Sequence, residues 1–145
     1  MKKVALFPGS FNPFTKGHAD IVSRALSMFD EVIIGIGINS KKTQEGIQEN
    51  LRKIETTYTE EPRVKVITYT TLTADVVKEE NACCIIRGIR NDVDLKYESE
   101  IAQANYTLFG VETVFLLASP NLKEISSSLV RELERYGKNI EELLP

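Results

Sequence analysis

A doubly wound α/β domain built on a five-stranded parallel sheet is the fold this sequence predicts, and three observations carry the expectation. Apolar, strand-like runs alternate with helical patterns along all 145 residues, an order that puts a parallel sheet between two layers of helices. Several of the runs are apolar throughout, as in Val32-Ile33-Ile34-Gly35-Ile36-Gly37-Ile38, which suits strands covered on both faces. No repeat, low-complexity tract or linker breaks the alternation, and the length suits one domain over 1–145 with an ordinary core.

The elements follow in order. The first strand is expected at 2–8, where Val4-Ala5-Leu6-Phe7 follows the charged Lys2-Lys3. No long apolar stretch or small-residue cleavage site marks this start as a signal peptide. A helical pattern covers 17–29, and the second strand covers 31–38. Helices are expected at 47–58 and 72–80 on either side of a third strand at 63–69. The fourth strand spans 83–87 and the following helix 94–109, with Gly110 where that helix should stop. A fifth strand at 112–117 and a last helix at 126–136, stopped by Gly137, complete the alternation.

Composition narrows the function classes. Hydrophobic content of 42% and charged content of 27% are globular values. The net charge of −3 supplies no basic footprint for nucleic acid. No run of eighteen apolar residues offers a membrane span. The only cysteines, Cys83 and Cys84, are neighbours whose side chains should point to opposite faces of a strand, so no disulfide joins them. They are expected to be small buried residues of a cytoplasmic protein. A metal or redox site would need a second cluster, which the sequence lacks.

Topology then gathers the polar loops. In a doubly wound sheet the ligand lies beyond the carboxyl ends of the strands, where the winding reverses. Strand one ends in Gly9-Ser10-Phe11-Asn12-Pro13-Phe14-Thr15-Lys16-Gly17-His18, a loop that leads into a helix and holds the single histidine. Strand four runs into Arg87-Gly88-Ile89-Arg90-Asn91-Asp92, and strand five leads to Ser119-Pro120 and Ile125-Ser126-Ser127-Ser128. Three loops suited to phosphate therefore leave one edge. Backbone N–H groups, helix N-termini and an imidazole meet there.

Each candidate also has a plain structural role. A lone histidine is commonly structural, but His18 in the first turn of a helix can donate to a phosphoryl oxygen. Arg87 and Arg90 could be solvated surface charges. Their place at the end of a buried strand favours phosphate binding instead. One serine of Ser126-Ser127-Ser128 would cap the last helix in any case. Lys41 and Lys42 are either a solvated pair or an anion contact at the same edge. Glu98 could be an ordinary helical carboxylate and Tyr97 a core residue. The chain has no G-x-G-x-x-G, no Walker A pattern, no HExxH and no nucleophile–base pair. What remains is a site for two phosphorylated ligands without a covalent catalyst. Direct nucleotidyl transfer needs little more than positioning and charge stabilisation.

Thr15-Lys16-Gly17-His18 has the T-x-G-H form of a nucleotidyltransferase superfamily. Together with Gly9-Ser10-Phe11-Asn12-Pro13, Ile86-Arg87-Gly88-Ile89-Arg90, Tyr97-Glu98 and Ile125-Ser126-Ser127-Ser128, it resembles bacterial phosphopantetheine adenylyltransferase over nearly the whole chain. The resemblance implies a Rossmann-like domain that moves AMP from ATP to 4′-phosphopantetheine, giving dephospho-coenzyme A and pyrophosphate by in-line attack. It implies that His18 is catalytic. Ser10, Phe11, His18, Gly88, Ile89, Arg90, Glu98 and the segment Leu122, Lys123, Glu124, Ile125, Ser126, Ser127 and Ser128 would face ATP. Ser10, Lys41, Thr73 and Arg87 would hold phosphopantetheine. It further implies Mg2+ carried by ATP, no metal site of the protein's own, a cytoplasmic enzyme and a homohexamer. Asn12 stands where the family usually has Asp, and Asn is common in the related nicotinamide mononucleotide adenylyltransferases. The rival readings are therefore such a nucleotidyltransferase, or a non-catalytic nucleotide-binding protein on the same fold. A dehydrogenase-like domain lacks its glycine fingerprint here.

Overall fold

The computed structural model describes residues 1–39 and 43–145. The chain alternates β1 (Val4–Gly9), α1 (Lys16–Ala25), β2 (Glu31–Gly37), α2 (Gln44–Thr57), β3 (Val64–Tyr69), α3 (Thr73–Glu79), β4 (Cys84–Ile89), α4 (Asp92–Phe109), β5 (Thr113–Leu117) and α5 (Ser127–Arg135), with a 3-10 turn at Glu141–Leu143. The five strands form one parallel sheet in the order β3-β2-β1-β4-β5. The winding thus reverses between β1 and β4, which places the carboxyl ends of those two strands at the expected ligand crevice.

Strand alternation divides the core. Ala5 and Phe7 of β1, Val32, Ile34 and Ile36 of β2, and Ile86 of β4 face one side, where Ile21, Val22 and Ala25 of α1 and Ile54 of α2 cover them. Leu6, Ile33 and Ile85 face the other side under Ala74, Val76 and Val77 of α3. Side chains on both faces are buried, which is why these strands are apolar throughout.

Several boundaries differ from the sequence expectation, each for a local reason. The first helix stops at Ala25 rather than near Phe29. Residues 26–28 form a turn, and the Asp30 N–H then bonds the Lys3 carbonyl at 2.8 Å to start β2. The second helix begins at Gln44, three residues early, because the Thr43 hydroxyl caps the Gly46 N–H at 3.0 Å. The fourth begins at Asp92 because Asn91 caps the Asp94 N–H at 2.9 Å. Strand β4 continues to Ile89, so Arg87 and Gly88 are strand residues paired with Phe115 and Leu116 rather than loop residues. Cys84 is buried, but Cys83 is exposed, contrary to the expectation of two buried thiols, because it lies in the bend before the strand. Burial pushes the Cys84 thiol up to about 12, with the neighbouring Cys83 adding to the shift.

Candidate active site

The loop after β1 is shaped by Phe11. Its φ of 47° is left-handed, a conformation that costs a residue with a side chain on the order of 1 kcal/mol. The ring repays this by burial at 3% exposure against Phe7 and Phe14, at centroid distances of 5.1 and 5.4 Å. Gly9 is required by the same packing, since a Cβ there would lie 2.9 Å from the Phe11 ring.

The four residues Thr15 to His18 have a structural purpose as well as a chemical one. Thr15 is the N-cap of α1, and its hydroxyl accepts from the His18 N–H. In return the Thr15 N–H donates to His18 Nδ1 at 2.9 Å. This is a capping box in which histidine replaces the usual glutamate at the third helical position. The spacing therefore fixes the ring. A backbone N–H can only donate, so Nδ1 is unprotonated and the neutral ring carries its proton on Nε2. Phe11, Phe14 and Phe7 surround the imidazole at 5.0, 5.4 and 6.2 Å. Burial first, and then the charges of Arg87 and Arg90, lower the His18 pKa from 6.5 to about 4. At neutral pH His18 is thus a neutral N–H donor with a set direction.

The remaining walls come from the second half of the chain. Arg87 reaches from β4 to α4, where Nε and Nη2 meet the Glu98 carboxylate at 2.9 and 2.6 Å; Nη1 donates to the Pro8 carbonyl. Glu98 is 7% exposed, so Arg87 accounts for its burial. Arg90 Nε bonds Asp94 at 2.9 Å. Burial alone would raise the Asp94 pKa, but the hydrogen bonds from Arg90 outweigh it and hold the carboxyl below its usual range. Neither arginine is a solvated surface charge. Each is held in place by a carboxylate first.

The serines likewise divide their work. The Ser126 hydroxyl caps α5 at Leu129, Ser127 donates to the Pro13 carbonyl at 2.7 Å, and Ser128 accepts from Arg131. Arg131 also donates to the Asn12 carbonyl at 2.5 Å. Helix α5 is therefore tied to the first loop across more than a hundred residues. Its N-terminus, with the partial positive charge of a helix start, faces the space between them.

That space is a cavity of about 360 Å3 at the carboxyl edge, lined from the first loop and the start of α1 by Ser10, Phe11 and His18, from β4 and the residue after it by Arg87, Gly88 and Arg90, from α4 by Glu98, and from the last loop and the start of α5 by Leu122, Ile125, Ser126, Ser127 and Ser128. A second cavity of about 200 Å3 is lined by Thr73, Tyr69, Asn105 and Thr113. The two cavities share Gly9, Arg87, Tyr97 and Glu98 as a common wall.

Comparisons with known proteins give the family. Residues 6–133 match the cytidylyltransferase-like family model. The chain is 47% identical over its full length to the phosphopantetheine adenylyltransferase of Christiangramia forsetii, covering 96% of that protein. It is 48% identical over 99% of its length to that of Porphyromonas gingivalis, covering 95% of it. The chain belongs to the phosphopantetheine adenylyltransferase family.

A solved bifunctional NMN adenylyltransferase/ADP ribose pyrophosphatase from Francisella tularensis shares the fold of this adenylyltransferase. Its TM-score is 0.71 at 17% identity, covering 99% of this chain and 44% of that one. Three site expectations for the adenylyltransferase are placed differently by the structure. Ile89 is buried at 4%, its carbonyl accepts from the Ala118 N–H, and it does not line the cavity. Lys123 and Glu124 are exposed on the turn at 120–124 and do not line the cavity. Thr73 lines only the second cavity, and Lys41 lies outside the described residues. Sequence reasoning left Thr15, Gly17, Asp94 and Ala118 out of the site, although all four line the first cavity. The capping-box spacing was the available signal for Thr15, and the spacing of four from Arg90 was the signal for Asp94.

Proposed function

We propose that this adenylyltransferase joins ATP and 4′-phosphopantetheine to give dephospho-coenzyme A and pyrophosphate, and that the shared wall of the two cavities is where the reacting phosphates meet. That juxtaposition is the observation that carries the reading. ATP would occupy the larger cavity, with its phosphates between His18 and the N-terminus of α5. The arm of phosphopantetheine would lie in the smaller one beside Thr73, with its phosphate at Arg87. A phosphate oxygen of the acceptor attacks the α-phosphorus; the new P–O bond forms as the bond to the β-phosphate oxygen breaks, and pyrophosphate leaves. The attacking phosphate is already an anion, so no base is required. The Nε2–H of His18 donates to the α-phosphoryl oxygen as its charge changes, and the loop's backbone keeps that donor in position.

Among the described residues no group of three or more His, Cys, Asp or Glu side chains is placed to hold a metal ion. Magnesium would arrive on the triphosphate, as the family resemblance implies, and lower its charge. Among the described residues no helix is long and apolar enough to cross a membrane; work in the cytoplasm is what the family resemblance implies.

Assembly belongs to the same reading. Val93, Tyr97, Ile101 and Leu108 of α4 are 78, 64, 42 and 69% exposed. Spacings of four, eight and fifteen residues put them within one helical stripe. Such a stripe suits contact between copies of the chain, in the homohexamer that the family resemblance implies. Leu108→Lys is expected to lower the sedimenting mass.

Pyrophosphate release from ATP and magnesium tests the reaction, with 4′-phosphopantetheine and nicotinamide mononucleotide as parallel acceptors. Release with phosphopantetheine alone is expected. Release only with the mononucleotide would assign the chain to the rival transferase. Silence with both, with ATP bound, would leave a binding protein.

A further inference from the structure

Helix α3 starts badly by local rules. Its N-cap is Leu72, which supplies no capping hydrogen bond, although Thr71 and Thr73 flank it and could have filled that role. Leucine is among the poor N-cap residues. The Thr73 hydroxyl is instead engaged with the phenol of Tyr69 at 2.9 Å. A local rule set aside in this way is expected where a side chain serves a site.

The neighbouring strand is cut to fit that phenol. Gly37 is the register partner of Tyr69, and Gly35 lies two residues before it on β2. A Cβ at Gly35 would come 3.1 Å from the Tyr69 ring, and one at Gly37 would come 3.4 Å from its hydroxyl oxygen. Two glycines among the β-branched residues Val32, Ile33, Ile34 and Ile36 thus leave room for the ring beside the strand. Tyr69 and Thr73 both line the smaller cavity, together with Arg87 and Asn105.

We propose that Tyr69 is a positioning residue for the acceptor substrate, acting through Thr73; the inference rests on the adenylyltransferase reading above. A phenol is the more acidic hydroxyl and so the better donor of the pair. With Tyr69 donating, the single proton of Thr73 is left to point into the cavity. That proton suits a carbonyl, such as an amide oxygen of an extended pantetheine-like arm, rather than a second donor.

The test is a cycle of Tyr69→Phe, Thr73→Val and the double variant. Tyr69→Phe should raise the KM for 4′-phosphopantetheine by about 3- to 10-fold, the worth of one ordinary hydrogen bond. The KM for ATP, kcat and the thermal midpoint should change little. Thr73→Val should do the same, Thr73→Ser should retain wild-type KM, and the double variant should be no worse than either single one. An unchanged KM in Tyr69→Phe, or single effects that multiply in the double variant, would overturn the coupling. Equal losses in both KM values with a lowered thermal midpoint would make Tyr69 merely structural and overturn it too. A wild-type protein that releases no pyrophosphate with phosphopantetheine would overturn the reaction itself, and this inference with it.

Discussion

Lowering the pH through the range from 6.5 to 4 should cost this protein folding stability that a His18→Gln variant keeps. In the unfolded chain the imidazole titrates near 6.5, whereas in the fold burial among Phe11, Phe14 and Phe7, together with the charges of Arg87 and Arg90, lowers it to about 4. The unfolded state therefore binds the proton first. The stability is complete above 6.5, falls as the pH drops toward 4, and levels off below that. At about 1.36 kcal/mol per pKa unit, the ceiling on the loss is about 3 kcal/mol. The ring retains some exposure, so the observed figure should lie under it. Urea unfolding of both proteins at pH 7, 5 and 4 measures the difference, and subtraction cancels the carboxylates they share. Because the chain has one histidine, its ring resonances give the midpoint directly, and 15N shifts report which nitrogen holds the proton. A midpoint between 6 and 7, or a proton on Nδ1, would refute both the aromatic enclosure and the capping-box argument. Equal acid sensitivity in the variant would refute the linkage.

Further outcomes are expected from the same geometry. His18→Ala should retain ATP binding and lose about 100- to 1,000-fold in kcat, the usual effect of removing one transition-state donor; near-normal turnover would remove His18 from the chemistry. Arg87→Ala should raise the KM for phosphopantetheine more than that for ATP, and the reverse order would exchange the two phosphate sites. Glu98→Ala leaves a guanidinium only a third exposed without its carboxylate, and should cost about 1–3 kcal/mol by thermal or urea unfolding, discounted for the solvent that reaches Arg87. A stability loss under 0.5 kcal/mol would mean the pair contributes little. Gly9→Ala pushes a methyl into the Phe11 ring, and should lower stability by about 1–3 kcal/mol and raise the His18 midpoint toward 6.5. An unmoved midpoint would show that Phe11 does not set it.

Much of this protein could be read from its sequence, because the signals are local and periodic. Unbroken apolar runs such as Val32 to Ile36 mark strands buried on both faces, and the alternation of runs and helical patterns settles a parallel sheet. The T-x-G-H and S-S-S segments are helix starts and R-G-I-R is the end of a strand, and the chemistry of each lies in the residues themselves. The family resemblance drawn from them agrees with relatives 47% identical over the whole chain. What sequence could not show is pairing across the fold. Arg87 and Glu98 are eleven residues apart and serve different elements, yet they meet at 2.6 Å and present one fixed guanidinium to the crevice. Ile89, Lys123 and Glu124 sit inside the right motifs but do not line the cavity, since what a side chain reaches depends on the strand and turn that carry it. The position of the His18 proton also waits on the tertiary structure. Thr15 fixes the tautomer locally, but the depressed pKa arises from aromatic rings and arginines that only the folded chain brings around the imidazole.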